Sequence, residues 1–237
     1  MDLCFRIVFL LLSFLFAPQI FANVYEVTPT QLFLSSKQMV GTVKLTNHSN
    51  ESGLLQLSLL DWQQCHGKNV YQVSHDILLT PPIFRLPPHK TQIIRFALKH
   101  PIFNTVQHPY RLHIKEVQQP RQKKLGQTLY FLMDLSLGLF VQPQHIIEQY
   151  IWSAERPDPK HIKLKLYNDG NVTLFIKQWQ LLPADQQGLT MKKHSTFTYI
   201  LPRQSHDWLV KVEPNNQYTE IKSNINGKTK KSVLHRL

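Results

Sequence analysis

The residues of this chain that could bind a metal or move a proton are scattered. Cys65-His66 offers one sulfur and one nitrogen, His108 and His113 stand five apart, and His100 is separated from His108 by a loop-like stretch. Residues five apart on an extended chain point to opposite faces. No partner pair at metal-ligand spacing accompanies Cys65-His66. No metal and no other cofactor is therefore expected. Nucleophilic catalysis has no foothold either: a Gly-x-Ser-x-Gly elbow, a His-Glu-x-x-His pair and a phosphate-cradling glycine loop are all missing from the sequence. The acidic residues occur singly, and with eight glycines in 237 residues the chain does not read as an enzyme.

The chemistry on offer is recognition. Residues 129–141, LYFLMDLSLGLFV, place large apolar side chains at 129, 131, 133, 135, 137, 139 and 141. This is the period of a β-strand with one buried face. A run of this length exceeds the common strand of about 5–6 residues. Asp134, Ser136 and Gly138 leave the other face to water or to a neighbour's backbone. Proteins normally suppress a long apolar strand edge because it invites pairing with other chains. One that is retained is suited to being lent to another chain as a missing strand; the plainer alternative is an ordinary core strand.

The elements that must position this strand are themselves strands. Residues 1–22 read as a cleaved secretory signal, with Arg6 ahead of a short apolar run and Ile20-Phe21-Ala22 at its end. That run is shorter than the roughly 20 residues a membrane span needs, so the protein is not expected to be membrane-embedded. Beyond it, alternating segments fall at 40–47, 54–62, 77–80, 91–98 and 110–117, and again at 162–167, 172–182, 196–201, 207–212 and 218–223. Asn168-Asp169-Gly170-Asn171 reads as a hairpin turn, as does Asn226-Gly227. The stretch around 143–160, with Pro157 and Pro159, reads as the connection between two sandwiches. The expected division is a first domain over 23–145, carrying the long strand, and a second over 146–237.

Cys65 is the one cysteine left after the signal. A secreted chain without disulfides relies on its core, which suits the periplasm, and that single thiol is expected to be buried and inert. The net charge of +12 would attract nucleic acid, anionic lipid or acidic proteins. It is dispersed, with no basic stripe or nucleic-acid-binding motif, so a nucleic-acid partner is not expected. Trp62, Trp179 and Trp208 read as sandwich packing.

Several strings together resemble the periplasmic pilus-assembly chaperones of the PapD type. DILLTPPIFRLPPHKTQIIRFAL (76–98) resembles their double-proline block and the strands after it, and YRLHIKE (110–116) their next strand, which ends in a glutamate. VTPTQLFL (27–34) and VKLTN (43–47) are similar to their first two strands. LKLYNDGN (164–171), YILP (199–202) and Trp208 are similar to their second domain. The resemblance implies an all-β chain of two immunoglobulin-like β-sandwich domains in an L or boomerang arrangement. It also implies a non-enzymatic function: a pilin-like or coat-like subunit that lacks its last strand is complemented by the chaperone's long strand and handed to an outer-membrane usher. Leu129, Phe131 and Met133 match the donor side chains of that family, and Leu135 and Leu137 extend the same face.

One departure accompanies the match. Family members hold the subunit's C-terminal carboxylate with an arginine on the first strand and a lysine on the last strand of the first domain. The corresponding positions here are Gln31 and Gly138, so the clamp cannot exist in that form, which is similar to the archaic chaperone–usher branch. Arg95 and Arg111, on strands of the first domain, are the candidate replacements; the alternative for each is a solvated outer-face charge. A free chaperone must hide its donor edge, for which a self-capped homodimer is one solution. The rival reading is a secreted two-sandwich adhesion or ligand-binding module for anionic surfaces.

Overall fold

The structure, a computed structural model, describes residues 25–65, 67–117, 132–184, 193–214 and 216–236. All regular structure among them is β-strand. The first ten strands are β1 (Tyr25–Thr28), β2 (Gln31–Leu34), β3 (Val40–Asn47), β4 (Gly53–Cys65), β5 (Lys68–Val73), β6 (Ile77–Thr80), β7 (Ile83–Leu86), β8 (Thr91–Leu98), β9 (His108–Glu116) and β10 (Asp134–Val141). They form two facing sheets ordered β1-β3-β8-β6 and β2-β10-β9-β4-β5, with β7 also paired to β4. The period-2 pattern sets their faces: Val43, Leu45, Leu55, Leu57, Ile94, Phe96, Leu112 and Ile114 all point into one shared core.

The second domain comprises β11 (Tyr150–Asp158), β12 (His161–Asn168), β13 (Leu174–Pro183), β14 (His194–Ile200), β15 (Ser205–Lys211), β16 (Tyr218–Ile225), β17 (Lys228–Val233) and β18 (His235–Arg236). Its sheets are β15-β12-β11-β18 and β14-β13-β16-β17, closed over Trp152, Leu164, Leu166, Leu174, Ile176 and Trp179. The chain is thus two β-sandwiches in series, as expected. Trp179 lies in the second core with Trp208 packed against it, while Trp62 lies between the domains.

Two local expectations are corrected. The stretch 152–160 is not connection but most of β11, because Pro157 falls where the β11–β12 register shifts, between Glu155 and Asp158, and no ladder bond is needed from it. The turn at 168–171 is not a hairpin: β12 pairs with β11 and β15, and the chain crosses to β13 in the opposite sheet. Asn168 makes that crossing. Its buried amide donates to the carbonyls of Val172 and Ile200, and its Oδ1 accepts from the Gly170 amide. Gly170 lies so close to the linker that an added Cβ would sit 2.3 Å from the Ile147 carbonyl oxygen. Asn47 plays the same part at the end of β3, donating to the Glu51, Leu86 and Pro87 carbonyls. Asn226 and Gly227 adopt positive φ (50° and 79°) and join the antiparallel β16 and β17, so this hairpin is present.

Candidate functional site: a half-covered strand and the cleft beneath it

Strand β10 pairs antiparallel with β9 along its whole length, from Asp134 opposite Lys115 to Val141 opposite His108. Its other edge is covered only in part. β2 runs parallel to it from Gln31 opposite Gly138 to Leu34 opposite Val141. The cause lies in the first strand of the chain, which is divided between sheets: β1 pairs with β3, and the chain crosses at Pro29-Thr30 before β2 joins β10. Proline has no amide to give to a ladder. Among the described residues, no strand pairs with the β2-side edge of 134–137.

The faces of β10 change occupant along its length as well. Leu137, Leu139 and Val141 are buried in the first domain's core, whereas Met133 and Leu135 only pack against its margin and Leu132 is 49% exposed. Of the five side chains expected to reach a subunit, Leu129 and Phe131 lie outside the described residues, Met133 and Leu135 stand at the open end, and Leu137 anchors the strand to its own domain. Among the described residues, regular pairing begins at Asp134. The rung before it is irregular. The Glu116 amide donates to the Met133 carbonyl at 2.8 Å, and the Met133 amide donates to the Glu116 carboxylate (Oε2, 3.3 Å) instead of to a backbone oxygen. Glu116, 4% exposed, also accepts from the Tyr25 hydroxyl of the other sheet at 3.4 Å. Burial and the Glu116 charge push the Tyr25 hydroxyl up to about 12.

At the opposite end β10 enters the joint between the domains. Phe140 packs with Trp62, Leu201 and Tyr199 in a separate apolar cluster. Gln64 ties this cluster across the joint: its side-chain amide donates to the Tyr199 carbonyl at 2.9 Å and its Oε1 accepts from the Leu201 amide at 2.9 Å. Gln107, 5% exposed, makes a second tie, donating to Gln142 at 3.0 Å and accepting from the Thr173 amide at 2.8 Å.

The two positions where the family clamp would stand, Gln31 and Gly138, are register partners. Gly138 also faces Arg111 on β9, so the three lie in one row across three strands. The Arg111 guanidinium lies 3.8 Å from the Trp62 ring centre and 4.8 Å from that of Tyr199. Burial pushes it down from its ordinary value, opposed by the Tyr71 and Tyr199 hydroxyls and a hydrogen bond to Tyr71. Its buried Nε has no hydrogen-bond partner among the described residues. Gln31 donates to the Tyr199 hydroxyl at 3.3 Å. Arg95 is exposed on β8 in the opposite sheet, opposite Thr42 and Thr80. The structure therefore separates the two candidate cations, with Arg111 in the cleft and Arg95 outside it. The histidines pair with acids instead of with one another: His108 with Asp61 at 2.7 Å and His113 with Asp134 at 3.5 Å. Cys65 is exposed, not buried as expected.

Sequence reasoning missed Gln64, Glu116 and Tyr199 as parts of this arrangement. Tyr199 lay inside a string already resembling the family; a lone glutamine such as Gln64 carries no sequence signal.

The described chain is two β-sandwiches in series, the first ending in a half-covered strand. Residues 25–147 match the family model described as pili and flagellar-assembly chaperone, PapD N-terminal domain. The chain belongs to this family of pilus-assembly chaperones. No curated protein sequence matches it. Among solved structures it is similar to a chain in the CsuC–CsuE chaperone–tip adhesion subunit pre-assembly complex from the archaic Csu pili of Acinetobacter baumannii, with TM-score 0.66 and 15% identity over 90% of this chain and 99% of that one. It is also similar to the E. coli chaperone DraB, with TM-score 0.63 and 16% identity over 91% and 97%. A third similar structure is the Salmonella enterica SafA pilin in complex with the SafB chaperone, with TM-score 0.62 and 16% identity over 92% and 99%. At these identities the likeness is one of fold.

Proposed function

We propose that the chain is a periplasmic chaperone that stabilises pilin-like or coat-like subunits by donor-strand complementation and delivers them to an outer-membrane usher. The observation that carries this reading is the half-covered β10, paired with β2 only from Gly138 onward. A subunit strand entering the open edge meets backbone groups at 134–137 that no other described strand pairs on that side, and it meets apolar side chains at Met133 and Leu135, continued in the sequence by Phe131 and Leu129. Strand addition of this kind, of which pilin complementation is a known instance, draws affinity from main-chain bonds and selectivity from alternate side chains. Each such side chain buried contributes ~1.5–3 kcal/mol.

The direction of β2 suggests how the subunit ends. β2 is parallel to β10 and begins at Gln31. A subunit strand with the same direction would terminate where β2 starts, and its carboxylate would fall in the row formed by Gln31, Gly138 and Arg111. Arg111 is the cation of that row, one strand away from the position at which the family's lysine stands. The matches to a chaperone–subunit and a chaperone–pilin complex support such a partner.

The test is co-expression with a candidate small secreted subunit, comparing wild type with the double variant Phe131→Asp/Met133→Asp by size-exclusion chromatography. A 1:1 complex lost in the double variant, with the variant's own circular dichroism and melting unchanged, is the expected result. A complex indifferent to both substitutions would sink the donor-strand reading. Failure to capture any subunit, together with salt-sensitive binding to anionic glycan or lipid, would favour the adhesion-module reading instead.

A further inference from the structure

Beside Gln31, between the domains, lies a cavity of about 300 Å³, a volume at the lower end of those that hold ligand groups. Four aromatic rings share its walls with amide side chains, among them Gln107 and Gln142. Phe33 and Phe140 of the first domain stack with ring centres 5.6 Å apart, and Phe175 and Tyr199 of the second stack at 4.4 Å. Phe140 and Tyr199 are 6.1 Å apart, so the four rings form one band across the joint. Among the described residues the one charged side chain in the lining is Glu148, a negative charge in a chain of net charge +12.

Glu148 is held loosely. Its side chain is 19% exposed, with Lys228 3.9 Å away and itself 66% exposed, and Asn226 donates to it at 3.2 Å. An exposed ion pair of that length contributes little, so the carboxylate retains capacity for another cation. Ring faces attract cations as well, and do so more strongly where water is excluded. Arg111 does not line the cavity but Gln31 does, so the pocket adjoins the row of Gln31, Gly138 and Arg111 and shares Gln31 with it.

We propose that this cavity is a pocket for a basic side chain, lysine or arginine, at or next to the C-terminus of the bound subunit. The identity of the occupant rests on the donor-strand reading, because a parallel subunit strand would end at Gln31, at the cavity's mouth. The chemistry of the pocket does not. Arg111 and Lys177 already lie 4.8 Å and 5.9 Å from the ring centres of Tyr199 and Phe175, and the Glu148 carboxylate in the same lining favours a further cation over an acid or a neutral aliphatic chain.

The pocket is tested with small probes on the mature protein alone. Nα-acetyl-arginine, Nα-acetyl-norleucine and Nα-acetyl-glutamate are titrated while backbone amide resonances are followed by NMR. The arginine derivative should shift the amides of Thr173, Phe175 and Tyr199 and bind at least tenfold more tightly than norleucine. Glu148→Gln should reduce that preference below twofold while the spectrum stays dispersed, and Phe175→Leu should weaken arginine binding through the wall instead of the charge. Equal affinity for norleucine, shifts elsewhere on the surface, or an arginine preference that survives Glu148→Gln would each overturn the proposal. If the arginine preference is absent while a subunit complex is still lost in Phe131→Asp/Met133→Asp, the pocket fails and the donor strand stands. If the preference is present and the complex ignores those substitutions, the donor strand fails and the pocket stands.

Discussion

Residues 138–141 of β10 are paired on both edges, by β9 and by β2, whereas residues 134–137 are, among the described residues, paired by β9 alone. The alternation of apolar side chains runs unbroken through both halves. In the first it meets a margin where Met133 and Leu135 are partly exposed; in the second it meets a closed core that leaves Leu139 and Val141 no exposure at all. A hydrophobic period therefore reports which way side chains face and not which chain will cover them. What decides the cover is β2, and β2 is short because the first strand is shared between two sheets.

The largest effects should separate these halves by stability. Leu139→Ala removes a fully buried side chain and is expected to cost ~2–5 kcal/mol. Leu135→Ala, at the margin, should cost less than about 1 kcal/mol. Urea denaturation of the free protein measures both. Subunit binding should show the reverse order, with Leu135→Ala weakening the complex while Leu139→Ala changes it only as far as folding is lost. Equal destabilisation by the two would mean that the open half is ordinary core.

The next effect concerns the cleft end. Arg111→Met keeps an apolar stem against Trp62 and Tyr199 but removes the charge. A hydrogen bond to a charged group contributes ~1.5–3 kcal/mol, so subunit affinity should fall on the order of tenfold to a hundredfold, with weaker salt dependence. Arg95→Met, on the far sheet, should change neither. Gly138→Lys puts a cation back at the family position, and the structure argues against a gain. An added Cβ at 138 would lie 2.8 Å from the Phe140 ring, and overpacking of this kind costs ~1–3 kcal/mol. The variant should melt lower and bind no better; improved binding at unchanged melting temperature would show that the row can take a side chain there.

Much of this was legible in the sequence. The alternating runs at 40–47 and 91–98 coincide with β3 and β8, because an inward face of Val, Leu, Ile and Phe leaves a strand little choice of register. By resemblance Gln31 and Gly138 fall at the family's clamp positions, and in the structure the two are register partners. What was not legible depended on contacts between distant segments. The turn after Asn168 carries hairpin residues, yet the amide of Asn168 binds carbonyls on both sides of the crossing and sends the chain to the other sheet. β5, at the sheet edge with all its residues exposed, has no buried face to give it a period. Arg111 and Arg95 are alike as sequence, and only the register against Gly138 distinguishes them.

The smallest expected effect tests how the open half is held at its start. The Tyr25 hydroxyl donates to Glu116, and Glu116 in turn accepts from the Met133 amide. Because the folded protein pushes the Tyr25 hydroxyl up to about 12, folding favours its protonated form. That contribution is fully present below pH ~10, the ordinary tyrosine value, and is lost as pH climbs through the folded value. Stability should decline across this window, and Tyr25→Phe should flatten part of the decline. The remaining slope is assigned to Tyr110, whose hydroxyl is raised by burial and by its bond to Asp76, and to Tyr150, raised chiefly by burial. At neutral pH the same substitution should cost about 1 kcal/mol, the net worth of one hydrogen bond. Its local signature is faster hydrogen exchange at the Met133 amide, with the amides of 138–141 unaffected. If exchange rises equally along all of β10, Tyr25 supports the domain as a whole rather than the start of that strand.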